Sequence, residues 1–180
     1  MPKANIILIG FRCSGKSTIG QIISKTLSME FVDSDDMIER HCAMSITELV
    51  QRKGWHYFRE VEKETVAKIS RKSGLVVATG GGVPLDHDNV NILKASGWFV
   101  WLKAQPSVIK ERMRQQLKSG LLRPSLRGGD PVGEVDEVLA ERSQIYQKIA
   151  DLIVETDRMP PKEAAHKIIK AYMKRSTPCY

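Results

Sequence analysis

Four consecutive aliphatic residues, Ile6-Ile7-Leu8-Ile9, run into Gly10-Phe11-Arg12-Cys13-Ser14-Gly15-Lys16-Ser17-Thr18. An apolar run this short, stopped by glycine, suits a strand buried on both faces of a parallel sheet, because a half-buried strand would alternate polar and apolar residues. The nine residues that follow match G-x-x-x-x-G-K-[ST], and Ile19, Ile22, Ile23 and Leu27 then recur at helical spacing. Strand, glycine loop and helix together form the context in which this pattern binds phosphate. The glycines let the backbone curl so that successive N–H groups turn inward, and the helix start adds the positive end of its dipole. The expectation is a nucleotide site in which Cys13, Ser14, Gly15, Lys16, Ser17 and Thr18 surround the phosphates. Lys16 reaches the β- and γ-phosphates, and the Ser17 hydroxyl is a ligand for Mg²⁺. Cys13 reads as a loop spacer, since phosphoryl transfer to a hydroxyl needs no thiol nucleophile, although a helix start beside it favours a reactive thiolate.

The rest of the chain alternates in the same way. Further strands are predicted at 31–32, 75–78, 98–102 and 152–154, and helices at 18–27, 36–40, 45–53, 58–73, 89–96, 107–118, 134–148 and 161–175. Ser45 with Glu48 three residues on forms a capping box, and Pro161 opens the last helix. This alternation implies an α/β fold, a three-layer α/β/α domain with a mainly parallel central sheet. At 180 residues, with no repeat or linker, a single domain over 1–180 is expected. Apolar runs fall far short of the roughly 20 residues a bilayer requires, so neither a membrane protein nor a secreted one is expected. Three cysteines at unrelated spacings (Cys13, Cys42, Cys179) point to a reduced, cytoplasmic setting without a disulfide framework or zinc pattern. The four histidines share no ligand spacing. The net charge of +7 suits an anionic small molecule. The basic residues are scattered with no aromatic-interleaved stripe, so no nucleic-acid partner is expected. Trp98, Phe99 and Trp101 read as strand packing.

No guanine-selecting N-K-x-D element occurs, and the apolar run 75–78 ends in Thr79-Gly80-Gly81-Gly82 instead of the acids of motor ATPases. A short chain of this kind resembles the small-molecule kinases of nucleoside-monophosphate-kinase architecture. Phe31-Val32-Asp33-Ser34-Asp35 sets two acids at i and i+2 past a short strand, at the carboxyl end where crevices form. One can hold a water of the Mg²⁺ shell, and the other can accept from substrate hydroxyls and take a proton. The same cluster also reads as a helix N-cap. Arg59 has Glu62 at i+3 to direct its guanidinium, which matches a carboxylate, although an arginine on a helix is equally a surface residue. Three glycines after a buried strand cost backbone entropy unless something approaches closely. Arg123-Pro124, within the Gly-, Pro- and Arg-rich segment 119–133, suits an arginine carried over the phosphates by a mobile lid. Arg142 is a second candidate carboxylate ligand.

In order and spacing these residues resemble the shikimate kinase family. The match runs from Ile6 to about Lys174 and comprises Gly10–Thr18, Phe31-x-Asp33-x-Asp35, Phe58-Arg59-x-x-Glu62, Gly80-Gly81-Gly82, Arg123-Pro124-x-Leu126 and Glu141-Arg142-x-x-x-Tyr146. The resemblance implies a P-loop NTPase fold with a helical substrate-binding region at about 33–62 and a lid at about 112–133. It implies transfer of the ATP γ-phosphate to the 3-hydroxyl of shikimate, on the route to chorismate and the aromatic amino acids, by a cytoplasmic monomer. Lys16, Asp35 and Arg123 then carry catalysis, with Asp35 as base and Arg123 as the lid arginine. Ser17 and, through water, Asp33 serve the metal. Arg59 and Arg142 clamp the shikimate carboxylate, with Gly80, Gly81 and Gly82 alongside. The sequence departs from the family pattern at Cys13, where glycine is common, and at Ser125, where leucine is common. Which of Arg112, Arg114 and Arg158 stacks on adenine stays open. Gluconate and nucleoside monophosphates are the competing acceptors, and an idle relative of the same fold has no reason to retain Lys16, Ser17, Asp33, Asp35 and Arg123.

Overall fold

Ile6, Ile7, Leu8 and Ile9 are all fully buried. Their strand, β1 (Asn5–Ile9), lies at the centre of the sheet, so both of its faces need apolar cover. The computed structural model describes residues 4–118, 125 and 129–176. The other strands are β2 (Glu30–Asp33), β3 (Leu75–Ala78), β4 (Gly97–Lys103) and β5 (Leu152–Glu155). The strand order is β2-β3-β1-β4-β5, and every pairing is parallel. The helices are α1 (Lys16–Leu27), α2 (Ser34–Cys42), α3 (Ile46–Ser70), α4 (His87–Ser96), α5 (Pro106–Lys118), α6 (Val135–Ile149) and α7 (Pro161–Ser176), with a 3₁₀ turn at Val83–Leu85.

The two-residue period of the strands divides the core. Ile6, Leu8, Trp98, Val100 and Leu102 pack with Ile19 and Ile23 of α1 and Ala164, Ala165, Ile168 and Tyr172 of α7. Ile7, Ile9, Val77, Phe99 and Trp101 pack with Val66 and Ile69 of α3, Leu93 of α4 and Tyr146 of α6. Each fully buried aliphatic side chain contributes about 1.5–3 kcal/mol. Trp98 and Trp101 thus belong to opposite faces, each beside a tyrosine with ring centroids 6.0 and 5.8 Å apart. Asn5 is the polar exception within β1. Its side chain donates to Lys72 O (2.8 Å) and accepts from Leu75 N (2.9 Å), which sets the start of β3 against β1.

Helix ends differ from expectation where side chains cap them. Asp33 accepts from Asp35 N and starts α2 at Ser34, two residues before the predicted start. Glu39 accepts from Ile46 N at the turn into α3, and the Ser45–Glu48 capping box forms as expected. The predicted pair of helices across 45–73 is present as the two arms of α3, which meet at Gly54, where φ 80° and ψ 168° are not helical. The second arm ends at Ser70, earlier than expected, and Gly74 adopts a positive φ of 75° in the turn to β3. Of the expected lid, residues 112–118 belong to α5, and Asp130 caps a turn through Val132 N and Gly133 N. Most of 119–128, Arg123 included, lies outside the described residues.

The Gly54 conformation is one that only glycine adopts cheaply, and a methyl group there would meet nothing within 4 Å. Backbone strain alone therefore decides the effect of Gly54→Ala, which is expected to lower stability by about 1–3 kcal/mol. Urea unfolding measures this, and an unchanged midpoint would mean that the two arms of α3 rejoin as a continuous helix.

Candidate functional site

The carboxyl ends of β1, β2 and β3 deliver the site. After β1 the chain turns through Gly10 (φ 144°), Cys13 (φ 60°) and Gly15 (φ 97°) into α1. Here α1 differs from α2, α3 and α4. Those three begin under the side chains of Asp33, Ser45 and Asp86, whereas α1 has Gly15 at its N-cap, no side-chain cap and no acid in its first turn. A helix start without a side-chain cap or an acid suits an anion. The loop matches its expected form with one addition. Cys13 holds a left-handed conformation that costs a non-glycine residue roughly 1–2 kcal/mol, which gives a physical reason for glycine at this position.

Lys16 Nζ donates to Gly10 O and Phe11 O, both at 2.8 Å, so the ammonium lies under the loop that it serves. Ser17 Oγ donates to Asp33 Oδ2 at 2.7 Å, while Asp33 Oδ1 accepts from Asp35 N at 3.0 Å. The helix-cap reading of Asp33 thus uses one carboxylate oxygen, and the other meets Ser17. Burial raises the Asp33 pKa, opposed first by the Ser17 hydrogen bond. Arg12, Cys13, Gly15, Lys16, Ser17, Thr18, Asp33, Asp35 and Thr79 border one cleft of about 930 Å³. Ser14 is fully buried behind it, and Thr156 Oγ1 donates to its carbonyl at 3.3 Å.

A second cleft of about 480 Å³ adjoins the first, between α2, α3, α6 and the glycines after β3. Asp35, in the first turn of α2, is 4% exposed there. Arg59 donates to Glu62 Oε1 at 2.5 Å, and its guanidinium lies 5.6 and 5.1 Å from the ring centroids of Trp55 and Phe58. The two rings and the carboxylate hold the guanidinium in place. Glu62 is only 2% exposed, and burial raises its pKa above the ordinary value, with Arg59 opposing.

The glycines are required by what touches them. Gly80 N donates to Ser34 Oγ at 2.8 Å, and a Cβ at Gly80 would lie 2.5 Å from Asp35 Oδ1. One at Gly82 would lie 2.8 Å from Arg59 Cζ. Gly81 O accepts from Arg142 Nη1 (3.1 Å) and from Tyr146 Oη (2.8 Å). Tyr146 is fully buried, and burial pushes its pKa up to about 12, so it remains a donor.

The expected residues Asp35, Arg59, Gly80, Gly81, Gly82 and Arg142 therefore share one cleft, and Lys16, Ser17 and Asp33 share its neighbour. As expected from Arg142, α6 reaches the same cleft as the 33–62 region. Of the three arginines considered for adenine, Arg112 reaches the loop, donating to Cys13 O (3.0 Å) and Thr156 O (3.1 Å). It borders a third cleft with Cys13, Gly15, Thr18, Met159 and Pro161. Arg158 borders a different one, and Arg114 lies 3.9 Å from Glu111. Sequence reasoning missed Ser34, Arg12 and the Tyr146 hydroxyl as parts of the site. Ser34 and Tyr146 stood inside recognised motifs, so their positions were visible but their partners, far along the chain, were not.

Comparison with known proteins agrees with this geometry. The family model described as shikimate kinase matches residues 12–173. A shikimate kinase of Thermodesulfovibrio yellowstonii is 39% identical over 172 residues, covering 96% of this chain and 96% of that protein. The solved shikimate kinase of Acinetobacter baumannii in complex with shikimate superposes with a TM-score of 0.89 at 28% identity, over 98% of this chain and 96% of that one. The Aquifex aeolicus shikimate kinase gives a TM-score of 0.79 at 32% identity, over 96% of this chain and 98% of that one. By sequence and fold, the chain belongs to the shikimate kinase family.

Proposed function

We propose that this chain transfers the γ-phosphoryl group of ATP to the 3-hydroxyl of shikimate, yielding shikimate 3-phosphate and ADP for aromatic amino acid synthesis. The observation that carries the reading is the junction of the two clefts at Asp35 and Gly81, with Arg59 and Arg142 beyond them on the acceptor side. Two arginines oriented by fixed partners suit one carboxylate, and a buried acid suits a polyol. The reaction is a single displacement. The acceptor oxygen bonds to the γ-phosphorus, the bond from that phosphorus to the bridging oxygen breaks, and ADP leaves with the electron pair. Asp35 accepts the hydroxyl proton. The uncapped start of α1 and Lys16 hold the phosphates, Arg112 and Met159 border the base, and Arg123 is the lid arginine.

The donor set near the phosphates fits Mg²⁺. Ser17 Oγ and the Asp33 carboxylate are hard oxygens in direct contact, and among the described residues no group of three or more His, Cys, Asp or Glu forms a protein-only metal cage. Ser17 and, through water, Asp33 would hold the ion, which neutralises phosphate charge when bound. The monomeric state and cytoplasmic setting expected from the sequence belong to the same proposal.

Coupled detection of ADP, with shikimate, gluconate and nucleoside monophosphates offered separately, tests the acceptor. Turnover with shikimate alone is expected, and turnover with another acceptor would overturn the assignment of Arg59 and Arg142. Lys16→Ala is expected to abolish turnover while leaving the unfolding transition in place. Arg59→Ala removes a charge-assisted contact and should raise the shikimate KM about 10- to 100-fold. Equal loss of ATP affinity would count against a clamp confined to the acceptor.

The pH dependence has a defined sign. Because the Glu62 pKa is raised in the folded state, its contribution to stability is full below the unfolded value and is lost as pH rises through the folded one. The ionised form of Glu62 thus costs stability while it orients Arg59. Acidification should lower kcat/KM for shikimate earlier than an exposed glutamate would allow, and Glu62→Gln should remove that limb from the profile. A limb that persists in the variant would assign it to another group.

A further inference from the structure

Three residues border both the acceptor cleft and the phosphate cleft: Asp35, Gly81 and Arg12. The first two have roles in the reaction described above. Arg12 stands at a position of the phosphate-binding pattern that any residue satisfies, so the pattern itself gives no reason for a cation there.

The surroundings of Arg12 are built. Its guanidinium lies 5.8 Å from the centroid of the Phe11 ring, and that of Arg142 lies 5.6 Å from the same ring. Phe11 is 1% exposed and packs with Ile109, Met113, Val135 and Leu139, so one immobile ring steadies two cations. Arg142 faces the acceptor cleft only, whereas Arg12 stands where the two clefts meet. The backbone nitrogen of Arg12 is 3.8 Å from the place a Cβ on Gly81 would take, which puts the loop and the glycine turn face to face.

Charge balance indicates which part of the reaction this cation serves. Arg59 and Arg142 already suffice for one acceptor carboxylate, and Lys16 with the helix start already serves the donor phosphates. A further cation between the clefts matches neither ground state. It matches the phosphoryl group in transit, whose three equatorial oxygens carry the spread charge of a loose transition state. We propose that Arg12 is a catalytic residue, a cis-acting arginine supplied by the phosphate loop that donates hydrogen bonds to those oxygens during transfer. The inference rests on the shikimate kinase reading above. Arg12 exchanges no proton: the oxygen–phosphorus bonds form and break as described, and Asp35 takes the hydroxyl proton.

The test is a comparison of wild type, Arg12→Met and Arg12→Lys by steady-state kinetics with shikimate and ATP, with direct ATP binding by calorimetry. Arg12→Met is expected to lower kcat about 100-fold, less than the full effect of an arginine finger because Lys16 shares the charge. The shikimate KM and ATP Kd should stay within about threefold of wild type, the signature of an interaction made only in the transition state. Arg12→Lys should recover part of kcat, and the affinity of Arg12→Met for ADP–aluminium fluoride in the presence of shikimate should fall in parallel with kcat. Retained ATP binding shows that the loop is folded. A shikimate KM raised about tenfold or more at unchanged kcat would assign Arg12 to the acceptor carboxylate and overturn the proposal. Unchanged kinetics would overturn it as well. A wild type inactive with shikimate would instead sink the acceptor assignment and this inference with it.

Discussion

The carbonyl oxygen of Gly81 accepts from both Arg142 and Tyr146, two residues one turn apart on α6. Through this oxygen the glycine turn after β3 is tied to a helix some sixty residues further along the chain. Much of the site depends on that tie. It aims the Arg142 guanidinium, holds Tyr146 against Trp101 in the core, and fixes Gly80 and Gly82 against Asp35 and Arg59. The cost of leaving such buried donors unpaired explains why the arrangement is rigid. The glycines are then a matter of space: side chains on α2 and α3 fill the volume where Cβ atoms would stand.

The first βα unit was legible in the sequence because its chemistry is local. The apolar run, the glycines and the lysine lie within thirteen residues, and the structure adds mainly the positive φ at Cys13. The α/β class was legible from periodicity, whereas strand order was not, since β1 lies between β3 and β4 through contacts that no local pattern encodes. The Asp33 cluster shows a different kind of limit. Helix cap and metal-side acid were alternatives on the page of the sequence, but a carboxylate has two oxygens, and capping α2 occupies one while the other meets Ser17. The acceptor cleft was legible only as a set of separate motifs, and Ser34 and Arg12 stayed hidden in positions that the motifs leave free.

Glu62 illustrates how the fold sets function against stability. A buried carboxylate beside Asp35 is poorly solvated, and apolar replacements of such pairs are often neutral or stabilising in other proteins. What the pair supplies is direction: a guanidinium held by Glu62, Trp55 and Phe58 loses little rotamer freedom when a ligand arrives. The interruption at Gly54 belongs to the same design, because it lets the arm carrying Ile46 and the arm carrying Arg59 both face one cleft.

The shared wall of the two clefts has a thermodynamic consequence. Asp35, Gly81 and Arg12 line both clefts, so a change in any of them reaches both. If one ligand changes the affinity of the other across this wall, the second must change the affinity of the first by the same factor. Any such coupling needs no distant signal in this fold, since a single partition separates the two clefts.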